Sequence, residues 1–341
     1  METQLLKKER LKDFLKALGG VRLIAPVAGG AKTQFCEVAD IDAAEFDLDD
    51  YTATTKKVMF PQNETMFAFR SIDGGVAVEE TAVPAKTVVF GIRPCDARSF
   101  VTLDPLFTKD FDDPYYRQRR EATVLIGHAC QEPTNRCFCP SVGGSPSSTE
   151  GLDVLLTDIG ESYFVQIVTE RGKEALGGAG SLLSPATEAD QQQKQAADVQ
   201  SAAKIRRSVN LKKMHEILPK AFALPEWKEL GSKCIGCGIC TYNCPTCHCF
   251  DIQDEGTPYQ GRRLRVWDAC MFPEFTVHAS GENPRHDRSE RLRNRMMHKF
   301  SYFPRNLGFI SCVGCGRCIE LCPVNEDLIQ ILTTVRDLCN E

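Results

Sequence analysis

The chain has 341 residues, 42% of them hydrophobic and 26% charged, with a formal net charge of −5. That is the make-up of a soluble protein of two or three domains with a core to bury, without the basic excess of a nucleic-acid-binding domain. Its seventeen cysteines are too many for packing alone, in a chain far too large for a small disulfide-stapled scaffold.

The first ten residues interleave charges with leucines and carry no long apolar stretch, unlike a secretory leader. No run approaches the roughly 20 apolar residues that a membrane span needs. The expectation is therefore a cytoplasmic protein without a membrane span. In that reducing compartment, clustered cysteines point to metal rather than to disulfides.

Residues 1–19 read as an amphipathic helix, with Leu5, Leu6, Leu11, Phe14, Leu15 and Leu18 near helical spacing and Gly19-Gly20 as its stop. Short β-like runs follow at Val21–Val27, Val58–Phe60, Met66–Phe69 and Val76–Val78. Cleaner strands are Thr87–Gly91 and Thr123–Gly127, with helical stretches at Asp96–Leu103 and Pro114–Glu121 between them. This alternation predicts an α/β layer with some parallel pairing. Residues 140–151 form a turn-rich loop, and Val154–Thr157 with Tyr163–Val168 reads as a hairpin returning to the sheet.

From about 171 to 230 the composition shifts to Ala, Gln, Lys and Glu with no strand signal. Gln191–Gln195 reads as exposed helix, and Asn210 as the N-cap of a helix through Leu218. Residues 231–341 hold twelve of the seventeen cysteines. The predicted organisation is α+β: an α/β domain over 1–170 with a cysteine-lined rim, a helical connector over 171–230, and a helical, ferredoxin-like dicluster domain over 231–341.

The last part contains a repeat. Cys234, Cys237, Cys240 and Cys244-Pro245 follow C-x2-C-x2-C-x3-C-P, and Cys312, Cys315, Cys318 and Cys322-Pro323 repeat it. This is the bacterial two-cluster ferredoxin run, in which the fourth cysteine reaches the other cluster. One [4Fe–4S] is thus assigned to Cys234, Cys237, Cys240 and Cys322, and a second to Cys312, Cys315, Cys318 and Cys244. Structural zinc would call for four ligands as two separated C-x2-C pairs, whereas the cubane spacing occurs here twice.

An insert of 67 residues separates Cys244 from Cys312. It carries Cys247, Cys249 and Cys270, of which Cys247 and Cys249 read as packing or neighbouring thiols, because the eight ligand places are filled. It also carries Arg285, Arg288, Arg291, Arg293, Arg295 and Lys299. These cations read equally as a solvated helix face or as charges that offset an anionic cluster and raise its potential.

A second constellation lies near the N-terminus. Cys95 and Cys130 each follow a strand by a few residues, so parallel neighbours would bring them to one sheet edge, where Cys137 and Cys139 join them. Spacing alone leaves free thiols, zinc and an iron–sulfur cluster open for these four. His128 reads as a loop histidine, and Cys36 and Cys339 as structural. No Gly-x-Gly-x-x-Gly follows a strand, and no P-loop or nucleophile–base pair is present, so neither FAD nor NAD is expected on this chain.

Arg93-Pro94-Cys95-Asp96, Cys130…Cys137-Phe138-Cys139, Cys244-Pro245-Thr246-Cys247-His248-Cys249, Trp267-Asp268-Ala269-Cys270 and the second repeat occur in this order, with Arg291…Arg295 and His298-Lys299 before the last. Together they resemble the family that contains the iron–sulfur beta subunit of cytoplasmic sulfhydrogenase, a nickel–iron hydrogenase, and the corresponding iron–sulfur subunit of anaerobic sulfite reductase. The resemblance is specific over about 87–323 and weakest over 170–230. It implies an electron-transfer subunit without substrate chemistry of its own, relaying single electrons between a flavin- and NAD(P)-binding subunit and a catalytic partner of hydrogenase, sulfite reductase or heterodisulfide-reductase type. It also implies a third [4Fe–4S] on Cys95, Cys130, Cys137 and Cys139, hence about twelve iron atoms per chain. The competing expectation is a stand-alone sulfur or disulfide reductase using a cluster or Cys247/Cys249. A third is a redox sensor with structural clusters.

Overall fold

The computed structural model describes residues 2–28, 33–48, 54–82 and 84–339. Its strands begin with β1 (Glu2–Lys7), β2 (Arg22–Val27), β3 (Gln34–Glu37), β4 (Asn63–Ile72), β5 (Gly75–Glu80) and β6 (Thr87–Ile92). They continue with β7 (Thr123–His128), β8 (Val154–Asp158), β9 (Ser162–Ile167), β10 (Leu183–Pro185), β11 (Phe250–Gly256) and β12 (Gln260–Trp267).

Eight strands form one sheet in the order β10-β1-β9-β8-β7-β6-β2-β3. Its centre, β2-β6-β7-β8, is parallel, while β8–β9, β9–β1, β1–β10 and β2–β3 are antiparallel. The run Thr-Val-Val-Phe-Gly-Ile of β6 is buried along its whole length, as a central strand covered on both faces should be. Its alternation divides two cores. Val88 and Phe90 face Leu6, Phe14 and Ile126, whereas Val89 and Ile92 face Phe100, Leu103 and Tyr116.

A four-stranded antiparallel sheet, β11-β12-β4-β5, joins residues 63–80 to residues 250–267. Arg265 of β12, 2% exposed, is clamped to Glu64 of β4 at 2.5 Å and also pairs with Asp113. A third core is helical. Trp227, Met214, Leu218, Met271, Leu292, Met296, Leu332 and Val335 pack there with Phe138 and Val142 from the N-terminal part. The chain is thus α+β, sheet-rich toward the N-terminus and helical around the repeated cysteines.

Four local expectations are corrected. Residues 2–7 are strand, and helix is confined to Leu11–Ala17 after a 3-10 turn. The open edges of β9 and β10 offer β1 a full set of backbone partners, which outweighs a short helix that is marginal on its own. Val58–Phe60 is not strand, since Lys56–Met59 is a helical turn burying Met59, with Phe60 buried just after it. Residues 183–185 pair as β10, within the span read as free of strand. The helix after Asn210 starts at Met214 and runs to Lys220, because Asn210 caps only the amide of Lys212.

Candidate metal centre

β6 and β7 run parallel with Val88 opposite Val124, so their C-terminal ends emerge side by side. After β6, Pro94 opens a helix, Pro94–Thr108, where a residue without an N–H costs nothing, and Cys95 lies in its first turn. After β7, Cys130 donates its amide to the Pro146 carbonyl. Cys137 and Cys139 follow, anchored by Phe138, which is 1% exposed. All four sulfur residues line one cavity at this rim. His128 lies inside β7, edge-on to Tyr163 at 5.8 Å, and lines none of it.

The two repeats line two more cavities. Cys234, Cys237, Cys240 and Cys322 surround one, and Cys244, Cys312, Cys315 and Cys318 surround the other. Each repeat therefore contributes three cysteines to one cavity and its proline-preceding fourth to the other. The cavities adjoin. Cys315 lines both the N-terminal and the middle cavity, and Cys318 both the middle and the outer one.

The N-terminal loop is pressed onto the second repeat. Phe138 donates its amide to the Gly314 carbonyl at 2.8 Å, and Cys137 Sγ lies 3.7 Å from the Cys315 carbonyl. Gly314 has φ +67°, and a Cβ there would stand 2.5 Å from Cys139 Cα. Arg317, inside the second repeat, forms a two-pronged ion pair with Asp96, the residue after Cys95.

The basic stretch resolves into two faces. A capping box of Asp287 and Glu290 starts the helix Arg288–Met297, which continues through a π-helical turn at His298–Tyr302. Arg291, Arg295 and Lys299, four residues apart, all point inward and are 3–5% exposed. Arg295 donates to Cys247 Sγ at 3.2 Å and to the Cys240 carbonyl at 2.8 Å. Lys299 Nζ donates to Cys244 Sγ at 3.4 Å, Thr246 Oγ1 at 3.0 Å and the Ser311 carbonyl at 2.9 Å.

Sequence reasoning missed Lys56. It is 2% exposed, lies 3.8 Å over the Trp267 ring and donates to the Cys247 carbonyl at 3.0 Å. Burial draws it down to about 8.

Among the described residues, no carboxylate pairs with Arg295 or Lys299; sulfur and carbonyl oxygen face them instead. A buried cation needs a counter-charge. As bare thiols most of the middle set supply none, since burial pushes Cys315 and Cys318 up to about 12 and Cys312 up to about 11; Cys244 alone of the four is drawn well below its ordinary value, by the Cys247 thiol and then by Lys299 and Arg295. Thiolates carrying an anionic cluster would supply it. The donor set therefore fits iron–sulfur. Among the described residues no three His, Cys, Asp or Glu side chains are placed to hold one metal ion. Four sulfurs ranged around one cavity are the donor set of a multi-iron cube.

Comparison with known proteins agrees. Residues 233–326, spanning both repeats, match a family model described as "4Fe-4S dicluster domain". "Sulfhydrogenase 2 subunit beta" of Pyrococcus furiosus is 31% identical over 334 residues, which is 97% of this chain and 98% of the relative. The chain belongs to the sulfhydrogenase beta-subunit family. As a member of that family it is an iron–sulfur electron-transfer subunit of the [4Fe–4S] type. No solved structure matches it. Among its described residues no helix is long and apolar enough to cross a membrane.

Proposed function

We propose that this subunit is a three-cluster wire. Cys95, Cys130, Cys137 and Cys139 hold one [4Fe–4S], Cys312, Cys315, Cys318 and Cys244 hold the middle one, and Cys234, Cys237, Cys240 and Cys322 hold the third. The observation that carries this reading is the contiguity of three cavities, each lined by a full set of four cysteines, with Cys315 and Cys318 as the shared walls. A cubane supplies one-electron redox chemistry with little change of shape. The chain's own residues place the three sites in a row, put Lys299 against Cys244 and set Arg295 in the wall shared by the middle and outer sites.

The two ends of this row suit two docking faces in a cytoplasmic complex. One serves a flavin subunit that exchanges electrons with NAD(P), and the other a catalytic partner of hydrogenase, sulfite reductase or heterodisulfide-reductase type. On this reading the chain itself takes neither FAD nor NAD. The test is anaerobic native purification with metal analysis and identification of every accompanying chain. About twelve irons per chain beside a flavin subunit and a catalytic subunit is the expected result. About eight irons would remove the N-terminal cluster. A chain that came out alone and reduced sulfite or polysulfide with viologen would overturn the relay.

A further inference from the structure

Five cysteines stand outside these three sets, and two of the five are held together. β11 and β12 pair with Phe250 opposite Trp267, and the ladder runs one step further, Asp268 donating its amide to the Cys249 carbonyl at 2.9 Å. The chain then brings Cys270 back beside Cys249, near enough for its thiol and backbone N–H to act on that sulfur. Cys270 is buried, and Cys249 is partly open to solvent. Neither lines any of the three cavities. Cys247 lies beside them and accepts Arg295, the side chain that lines both the middle and the outer cavity. The pair is therefore next to the wire without being part of it.

We propose that Cys249 and Cys270 are a dithiol–disulfide couple that exchanges electrons with the neighbouring clusters. This rests on the cluster reading above. On oxidation both S–H bonds break and one S–S bond forms. Two protons leave to solvent past Cys249, and one electron passes to each of two cubanes. Reduction runs the same path backwards, taking two electrons from the clusters and two protons from water. The couple gives a one-electron wire a two-electron store, and its disulfide would staple the base of the exposed β11–β12 hairpin. Attack in thiol–disulfide chemistry requires a thiolate. The Cys270 thiol and amide, with Lys299 and Arg295 behind them, bring Cys249 down to about 6 against the opposing effect of burial.

The test uses the full chain, prepared anaerobically with its iron. Samples poised from oxidising to strongly reducing conditions with dithiothreitol buffers are blocked with iodoacetamide and mapped by mass spectrometry. Cys249 and Cys270 should convert together, with the steepness of a two-electron couple, between a linked peptide pair and two alkylated thiols. Titration with reduced methyl viologen should take two electrons fewer per chain in Cys249→Ser and in Cys270→Ser, with iron content unchanged. Thiols that alkylate under every condition would overturn the couple. So would loss of about four irons in either variant, which would make these residues ligands of a further cluster. Conversion of the pair in a wild-type chain that binds no iron would support the couple while removing the cluster reading.

Discussion

Arg317 and Asp96 lie 221 residues apart and meet as a buried two-pronged ion pair, Nη1 to Oδ1 at 2.7 Å and Nη2 to Oδ2 at 2.6 Å. The side chains are 7% and 0% exposed. One partner stands between Cys315 and Cys318, the other next to Cys95, so the pair ties the N-terminal site to the middle one. Removing one member leaves an uncompensated buried charge, whereas replacing both by apolar groups of similar volume does not. Asp96→Ala is expected to cost about 3–5 kcal/mol in anaerobic denaturant unfolding. The double variant Asp96→Leu/Arg317→Met should recover most of it. Equal loss in both would mean that the pair contributes through shape rather than charge.

Lys299 is the cation in closest touch with the middle site, through Cys244 Sγ. A unit charge about 4 Å from a thiolate is worth about 4 kcal/mol at an effective dielectric of 20, and part of this favours the reduced cluster. Lys299→Met should therefore lower one cluster potential, by something on the order of 100 mV given about 59 mV per tenfold for one electron. Redox titration followed by electron paramagnetic resonance reads it directly. Arg293→Gln is the control, on the same helix but donating to the Phe222 carbonyl, and it should leave all potentials in place.

Much of this site is readable from spacing. The two repeats fix which cysteines share a cavity because three cysteines sit on one tight loop and the fourth is thrown across by its proline. Cys95 and Cys130 fall at one rim because two buried β-branched runs separated by helix must pair in parallel. The inward face of the basic stretch is also within reach, since Arg291, Arg295 and Lys299 recur every fourth residue.

What spacing does not reveal are long-range partnerships. Nothing local in Lys56 announces that it will lie on Trp267, or in Asp96 that it will meet Arg317. The pairing of β4 with β12 joins residues 190 to 203 positions apart, and neither strand carries a pattern that names its partner. Residues 2–7 look helical by their leucines because the strand edges that capture them lie far along the chain.

His248 and His298 stand edge-on at 5.3 Å beside Lys299 and Arg295. Burial, with these neighbouring cations, draws His248 down to about 4 and His298 to about 3. Both are neutral in the fold, while in the unfolded chain they take up protons below about 6.5. The unfolded state thus binds more protons as pH falls, and stability drops from about pH 6.5 downward. Each histidine is expected to contribute about 1–2 kcal/mol of loss by pH 5. His298→Phe should flatten the slope between pH 6.5 and 5 in anaerobic thermal melts. An unchanged slope would place the acid sensitivity elsewhere.

Gly314 tests whether the N-terminal site depends on its contact with the second repeat. At φ +67° an alanine carries left-handed strain of about 1–2 kcal/mol, and its Cβ also meets Cys139 Cα at 2.5 Å and the backbone of Phe138. Gly74 separates the two effects, having φ +82° and nothing within 4 Å of its added Cβ. Gly74→Ala should therefore show strain alone, with iron content unchanged. Gly314→Ala must push the Phe138–Cys139 backbone away, since neither side of that contact is a flexible side chain. It should lose about four of roughly twelve irons as the N-terminal cysteines part, while the dicluster signals persist. Retention of all the iron would mean that the N-terminal set holds its shape without the second repeat, and that the contact serves only to bring two independent sites within electron-transfer range.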